Sequence, residues 1–203
     1  MSAVKYKRQT KEAQVASFVE QKIYQLHQSS DEAYVKASLA HLRRGIGVSP
    51  GSIPELWSLT LEDLPGNLMS KTGVPTNAEW AVHTALSLFA LHQQGKSIRE
   101  EFVHERGMSL GKAVATLIEE DDDVKRIKRR FDMAAGSGSI EEFSQHVRGL
   151  IQMLKSKGVK LDYGALAKDM FRFSDADKRN NVRLVWGQDF YWNLSSGKTE
   201  DSK

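Results

Sequence analysis

The 203-residue sequence contains no cysteine. Disulfide bonds, thiol nucleophiles and thiolate zinc sites are therefore excluded, and the composition fits a reducing compartment. The first residues, MSAVKYKRQTKE, contain no hydrophobic signal core, and no later run reaches the length of a membrane span. We therefore expect a cytoplasmic protein that does not contact a membrane.

The sequence also lacks strand-like alternation and internal repeats, whereas helix signals recur along it. The strongest signals bound residues 76–95: Thr76 and Glu79 form a capping-box pair, and Gly95 is a typical residue after a helix end. Apolar residues cover most of this helix, leaving a narrow polar strip. A helix of this kind must be surrounded by others, so we predict a central helix. The strip consists of Glu79, His83, Ser87 and Gln94.

Seven further helices follow from capping residues and apolar periodicity, and the protein is therefore predicted to be all-α, with eight or nine helices. In the second helix, a capping box from Ser29 to Glu32 and burial of Ala33, Tyr34, Ala37 and Ala40 are expected. The seven helices span residues 10–27, 29–44, 109–118, 122–135, 139–157, 162–173 and 175–194, with short helical turns within 55–74. We expect an N-terminal bundle over 1–104, a C-terminal bundle over 105–194 and a disordered tail over 195–203.

Two enzyme motifs fail when the chemistry of each is considered. Gly47 to Gly51 matches the G-x-S-x-G pattern of a nucleophile elbow, but Pro50 has no N–H for an oxyanion. Gly95-Lys96-Ser97 resembles the end of a phosphate-binding loop, but it ends a helix, where unpaired carbonyls would repel phosphate. We therefore predict no catalytic residue and no cofactor.

Two carboxylate–histidine pairs leave a metal site open as an alternative. Glu79 and His83, and likewise Glu142 and His146, are four residues apart and can share a helix face. A hydrogen-bonded pair on a helix surface is the more common meaning of this spacing. His92, near the end of the central helix, is expected to bond the last carbonyls.

The net charge of +3 and the pI of about 9.0 are only mildly basic, so the distribution of charge is more informative. In the helix 122–135, Val124, Ile127 and Phe131 define the buried side. The basic residues of that helix then lie on the opposite side and its flanks, and the acids at 119–123 can pair with its first turn alone. These cations are Lys125, Arg126, Lys128, Arg129 and Arg130. A solvated face paired with nearby acids is the alternative.

Other candidate cations are more isolated. Arg43 and Arg44 end a helix, where positive charge also suits the helix dipole. Lys112 and Arg148 are single outward-facing cations. Taken together, the cations predict a sequence-independent nucleic-acid surface that holds phosphates without reading bases.

Seven segments in the sequence are distinctive when taken together. They are LAHLRRG (39–45), PGSIPELW (50–57), ALSLFALHQQG (85–95), SLGKAVATL (109–117), RRFDMAA (129–135), LDYGALAKDMF (161–171) and VRLVWGQDFY (182–191). In order and spacing over residues 27–192, they resemble the CasB family, the small subunits of the type I-E CRISPR Cascade surveillance complex.

The resemblance implies an all-α fold of two small packed bundles, with no catalytic site and no small-molecule substrate. It implies a non-catalytic subunit in antiviral defence, present in two copies beside other Cascade subunits. Such a subunit would contact the crRNA–target DNA heteroduplex and the displaced DNA strand, and so stabilise the R-loop. A structural subunit without direct DNA contact, or a helical metalloenzyme, is the alternative.

The resemblance also assigns a binding role to individual cations. Arg43 and Arg44 match the family's LRRG step, and Lys112 matches the cation after Leu110-Gly111. Arg129 and Arg130 match the RRF step, and Arg148 matches the basic position of the next helix. Gly149 stands where relatives can carry a second cation.

Overall fold

The computed structural model describes residues 9–200, apart from the side chains of Asp121 and residues 196–200. Within that range the protein consists of nine α-helices and no strand; a single bridge joins His104 and Leu161. The predicted all-α class is therefore confirmed. The helices are α1 (Lys11–Gln28), α2 (Glu32–Arg44), α3 (Trp57–Thr60, after a 3₁₀ turn at Pro54–Leu56), α4 (Asn77–Gln93), α5 (Leu110–Ala115), α6 (Asp121–Gly136), α7 (Ile140–Lys157), α8 (Tyr163–Phe173) and α9 (Ala176–Glu200).

The predicted central helix is α4, and its end signals are confirmed. Thr76 Oγ1 accepts a hydrogen bond from Glu79 N–H at 3.1 Å, and Glu79 Oε2 accepts one from Thr76 N–H at 2.7 Å. Gly95 follows the helix with a left-handed φ of 81°. The expected polar strip is buried as well, except for Gln94. Glu79 is used by the cap, and His83 Nε2 bonds Gly45 O at 2.8 Å.

The core surrounds α4, which packs against α1, α2, α7 and α8. The ring of Phe89 lies 5.4 Å from that of Tyr163 and 6.2 Å from that of Phe102. His92 was expected to bond the last carbonyls of α4. Instead, its Nδ1 lies 2.9 Å from Tyr163 Oη. The buried apolar side chains form one cluster on both sides of residue 104, so the division into two bundles there stays a prediction.

The prediction for α2 was wrong in its cap and in its buried face. Asp31, not Ser29, caps the helix, since Asp31 Oδ1 accepts from Tyr34 N–H at 2.9 Å. The side chain of Tyr34 is 49% exposed. Val35, Ser38, Leu39 and Leu42 are buried in place of the predicted Ala33, Tyr34, Ala37 and Ala40. Larger aliphatic side chains gain more from burial than alanine, and this gain sets the rotation of the helix.

Two further helix ends differ from the prediction. Ser139 Oγ accepts from Glu142 N–H at 3.2 Å, but Glu142 Oε2 accepts from Gly138 N–H at 2.7 Å, so the capping box is only half formed. The helix α9 continues to Glu200, six residues beyond its predicted end at residue 194, and the disorder of the tail stays a prediction. Residues 201–203 lie outside the described range.

A close helix contact and an aromatic cluster hold α9 in place. A β-carbon at Gly111 of α5 would lie 2.3 Å from Trp186 O, so α5 can approach α9 this closely only with glycine there. The ring of Trp186 stacks on Phe143 of α7 at 5.2 Å and on Phe173 of α8 at 5.6 Å. The helix α9 is thus a fixed support for its other neighbour, α6.

Candidate nucleic-acid interface

The basic helix α6 lies with its predicted orientation. Ile127, Phe131 and Ala134 are buried, and Phe131 stacks on Phe190 of α9 with ring centroids 5.2 Å apart. Val124, predicted on the same side, is only half-buried. The predicted binding cations of this helix, Lys125, Arg126, Arg129 and Arg130, are all exposed.

The C-terminal end of α6 is held by Arg183 of α9. Its Nε donates to Ala135 O at 2.7 Å, and its Nη2 donates to Ser137 O at 3.0 Å and Gly136 O at 3.3 Å. The last carbonyls of a helix lack intrahelical partners, so a guanidinium here satisfies several acceptors at once. The sequence gives no local signal for this role, because Arg183 is far from α6 along the chain.

The exposed cations face a groove of about 670 Å³ between α6 and α7. The other wall is formed by Gln145, His146 and Gly149 of α7. A β-carbon at Gly149 would lie 3.4 Å from Arg130 Nη1, so the guanidinium lies directly against this position. The complete lining is Asp122, Lys125, Arg126, Arg129, Arg130, Met133, Gln145, His146 and Gly149.

Ion pairs neutralise only part of this helix. Arg126 Nη2 lies 2.5 Å from Asp123 Oδ1, and this hydrogen bond lowers the pKa of the Asp123 carboxyl. Lys128 pairs with Asp132. Among the described side chains, no ion pair involves Lys125, Arg129 or Arg130. The groove therefore has three cations that are available to an anionic ligand.

The remaining predicted cations do not line this groove. Arg148 is exposed on α7, and Arg43 and Arg44 lie at the end of α2. Lys112 Nζ donates to Gly107 O at 3.3 Å. Their binding role stays a prediction.

A second basic cluster was missed by the sequence analysis. Burial lowers the pKa of Lys155, and the nearby positive charges of Arg43 and Lys96 lower it further. Arg43 and Lys155 lie near the ends of α2 and α7, and Lys96 lies in the loop after α4, so no short sequence window contains more than one of the three. They are brought together by tertiary packing alone.

The hydrogen bonds of Glu79 and His83 argue against the alternative metal site. Glu79 accepts from Thr76 N–H and Ser70 N–H, and His83 Nε2 is bound to Gly45 O. Glu142 and the half-buried His146 lie 3.8 Å apart on α7. Over residues 9–200, no group of three possible ligands includes either pair.

Glu20, His104 and Asp162 do offer ligand atoms within 4.8 Å of one another, but their hydrogen bonds do not suit a metal. His104 Nδ1 accepts from Tyr163 N–H at 3.1 Å, so the neutral ring carries its proton on Nε2 and has no free lone pair there. Asp162 accepts from Gly107 N–H and Ala165 N–H. The cluster fixes the start of α8 against His104 and Gly107, in the segment between α4 and α5.

Within residues 9–200, no helix combines the length and the apolar character needed to cross a membrane.

The chain is similar to several solved structures. It is 30% identical to CasB from Thermobifida fusca, with a TM-score of 0.71 over 87% of this chain and 97% of that one. M. ruber CasB is 19% identical, with a TM-score of 0.65 over 90% and 97% of the two chains. A chain of a structure described as a CRISPR RNA-guided surveillance complex is 20% identical, with a TM-score of 0.71 over 95% and 99%. The last two similarities concern the fold alone.

Comparison by sequence gives the family directly. No curated protein sequence matches the chain significantly. The profile of the family described as CRISPR-associated protein Cse2 matches residues 38–191, which is more than half of the chain. Together with the similarity to Thermobifida fusca CasB, this match shows that the protein belongs to the Cse2 (CasB) family of CRISPR-associated proteins.

Proposed function

We propose that the protein is a non-catalytic small subunit of a type I-E CRISPR RNA-guided surveillance complex (Cascade), in which α6 holds nucleic-acid backbone. It would assemble with other Cascade subunits and a second copy of itself, and stabilise the crRNA–target R-loop and the displaced strand. This role in antiviral defence requires a cytoplasmic location. Membership of the Cse2 family and a fold like that of a chain in a surveillance complex support the assembly role.

The observation that carries the binding role is the set of unpaired cations in the groove. Lys125, Arg129 and Arg130 line it without an ion-pair partner among the described side chains. Uncompensated cations on a rigid helix attract phosphates and release counterions when they bind. Arg43, Arg44, Lys112 and Arg148 would extend this contact beyond the groove.

The chemistry of an R-loop suits such a surface. Guide pairing supplies the sequence specificity, so the surrounding protein needs to hold only the backbone. Exchange of a DNA duplex for an RNA–DNA duplex is nearly balanced in free energy, so a few phosphate contacts can shift it.

The test reverses the charge of the three unpaired cations in the full-length protein, by the combined substitutions Lys125→Glu, Arg129→Glu and Arg130→Glu. A matched control reverses Lys11, Lys36 and Lys71, three exposed lysines outside the groove. Binding to mixed-sequence DNA is measured across a salt series, and R-loop formation is measured with the crRNA-loaded complex. The triple groove variant should bind DNA more weakly and show a shallower salt dependence, by roughly 0.7 units of log–log slope per lost phosphate on single strands.

Helicity of both variants, measured by circular dichroism, controls for misfolding. If the groove variant binds DNA as the wild type does at low salt, the binding role of α6 is wrong. A structural subunit without DNA contact is the second candidate, because Arg126 and Lys128 already pair within α6. That candidate predicts no DNA retention by the isolated wild-type protein, and loss of complex assembly in the groove variant.

A further inference from the structure

Two large aromatic side chains remain exposed on α9 although the same helix buries others completely. Trp186 and Phe190 are each 1% exposed, whereas Tyr191 is 53% and Trp192 is 77% exposed. Water contact with rings of this size forgoes much of the free energy that burial would provide. Neighbouring exposed aromatic side chains are a common feature of binding surfaces.

The contacts between α6 and α9 place one of these rings, that of Tyr191, beside the basic half of α6. Arg183 bonds the carbonyls at the end of α6, while Phe190 stacks on Phe131 nearer its middle. The two helices therefore run in opposite directions, and the later residues of α9 approach the earlier residues of α6. Tyr191 accordingly lies next to Lys128; the hydrogen bond with Asp132 raises the pKa of that lysine, and Tyr191 adds to the rise.

One cation of α6, Lys128, therefore lies beside an exposed ring, whereas the unpaired cations of this helix line the groove. Lys128 lies on the side of Tyr191, and Arg130 lies on the side of Gly149. A backbone that follows α6 would bring its bases within reach of α9. Aromatic rings stack on bases of any sequence, but only on bases that are not already paired and stacked in a duplex.

We propose that Tyr191 and Trp192 form a stacking platform for unpaired bases, so that this surface prefers single-stranded nucleic acid to duplex. The inference rests on the proposed function and extends it, because it specifies the form of the nucleic acid and a contact other than phosphate. Tyr191 adjoins Lys128 of the basic helix α6, and this favours a polyanion over an apolar protein as the occupant.

The test compares Trp192→Ala and Tyr191→Ala with Leu184→Ala in the full-length protein. Leu184 is 60% exposed on the same helix and makes a matched control, since an aliphatic side chain cannot stack on a base in the same way. Three probes of equal length are used: mixed-sequence single-stranded DNA, the corresponding duplex, and an abasic oligodeoxyribonucleotide. Each aromatic variant should lose about 5- to 150-fold in affinity for the single strand.

Affinity of the aromatic variants for the duplex and the abasic strand should stay within twofold of wild type, and Trp192→Phe should restore single-strand affinity. Equal loss on all three probes, or no loss on the single strand, would overturn the platform. A common change in oligomeric state on substitution of Tyr191, Trp192 and Leu184 would also overturn it, since it would indicate a protein interface. If the wild type binds all three probes and the substitutions of Tyr191 and Trp192 change none of the affinities, the platform is wrong but the proposed role of α6 stands. The two proposals therefore fail separately.

Discussion

The guanidinium of Arg130 lies against Gly149, at a distance where a β-carbon would be 3.4 Å from Nη1. Gly149 is inside α7, and nothing in its backbone requires a left-handed conformation. The absence of a side chain thus leaves room for a cation of the neighbouring helix within the groove.

Replacement of Gly149 by alanine should stabilise the protein. A glycine inside a helix costs roughly 0.5–1 kcal/mol relative to alanine, and the flexible end of Arg130 can yield to one methyl group. Urea unfolding should show this gain, with DNA affinity within twofold of wild type. A glutamate at the same position should pair with Arg130 and weaken DNA binding. If alanine instead destabilises the fold, Arg130 is held more rigidly than this contact indicates.

Replacement of Arg183 by glutamine should destabilise the protein without changing the salt dependence of DNA binding. The change removes the donor from three carbonyls at the end of α6, which costs about 1–3 kcal/mol. Chemical unfolding measures the loss, and the slope of affinity against salt measures phosphate contacts. A reduced slope would mean that Arg183 contacts phosphate itself, contrary to its role in positioning α6.

Replacement of Phe89 by alanine should cost about 3–5 kcal/mol of unfolding free energy. Phe89 is fully buried in α4 and contacts the rings of Tyr163 and Phe102, so truncation leaves a cavity at the centre of the fold. Phe89→Leu is the matched control and should cost distinctly less, because most of the volume is retained. A loss below 1 kcal/mol for alanine would show that the core collapses around the site.

Stability should decrease in acid through His92. Burial lowers the pKa of His92 from 6.5 to about 4, so the unfolded chain binds this proton more readily than the folded one. The contribution of His92 to the free energy of unfolding is fully present above pH 6.5. It is lost as the pH falls towards 4, and the total loss is about 3 kcal/mol. Urea unfolding at several pH values should show a shallower dependence in His92→Asn. An unchanged dependence would assign the acid sensitivity to other groups, such as His83 and His104, whose pKa values burial also lowers.

Features that depend on neighbouring residues could be predicted from the sequence. The capping box of α4 and the exposed side of α6 both follow from spacing within one helix, and both are confirmed. The predicted rotation of α2 was wrong because the rotation of a helix depends on which of its side chains the neighbouring helices can bury, and not on the cap alone. Its four predicted positions gave way to Val35, Leu39 and Leu42, together with Ser38, on the face of α2 that its neighbours bury.

Features that join distant residues could not be predicted in this way. Arg183 and the cluster of Arg43, Lys96 and Lys155 depend on which helix ends meet. In the sequence, Arg183 cannot be distinguished from a cation that binds phosphate. For the candidate site, the cations of α6 were therefore predictable, whereas the wall from α7 and the anchor from α9 required the structure.

The packing of α1 along α8 has a consequence for synthesis in the cell. Residues 29–162 must leave the ribosome before α8 can appear, which takes on the order of ten seconds at typical rates of translation. Until then Phe18, Val19 and Ile23 have no complete partner surface, although they are fully or almost fully buried in the finished fold. The nascent chain is therefore expected to engage chaperones through its first helix, and truncation before residue 163 should give an insoluble product.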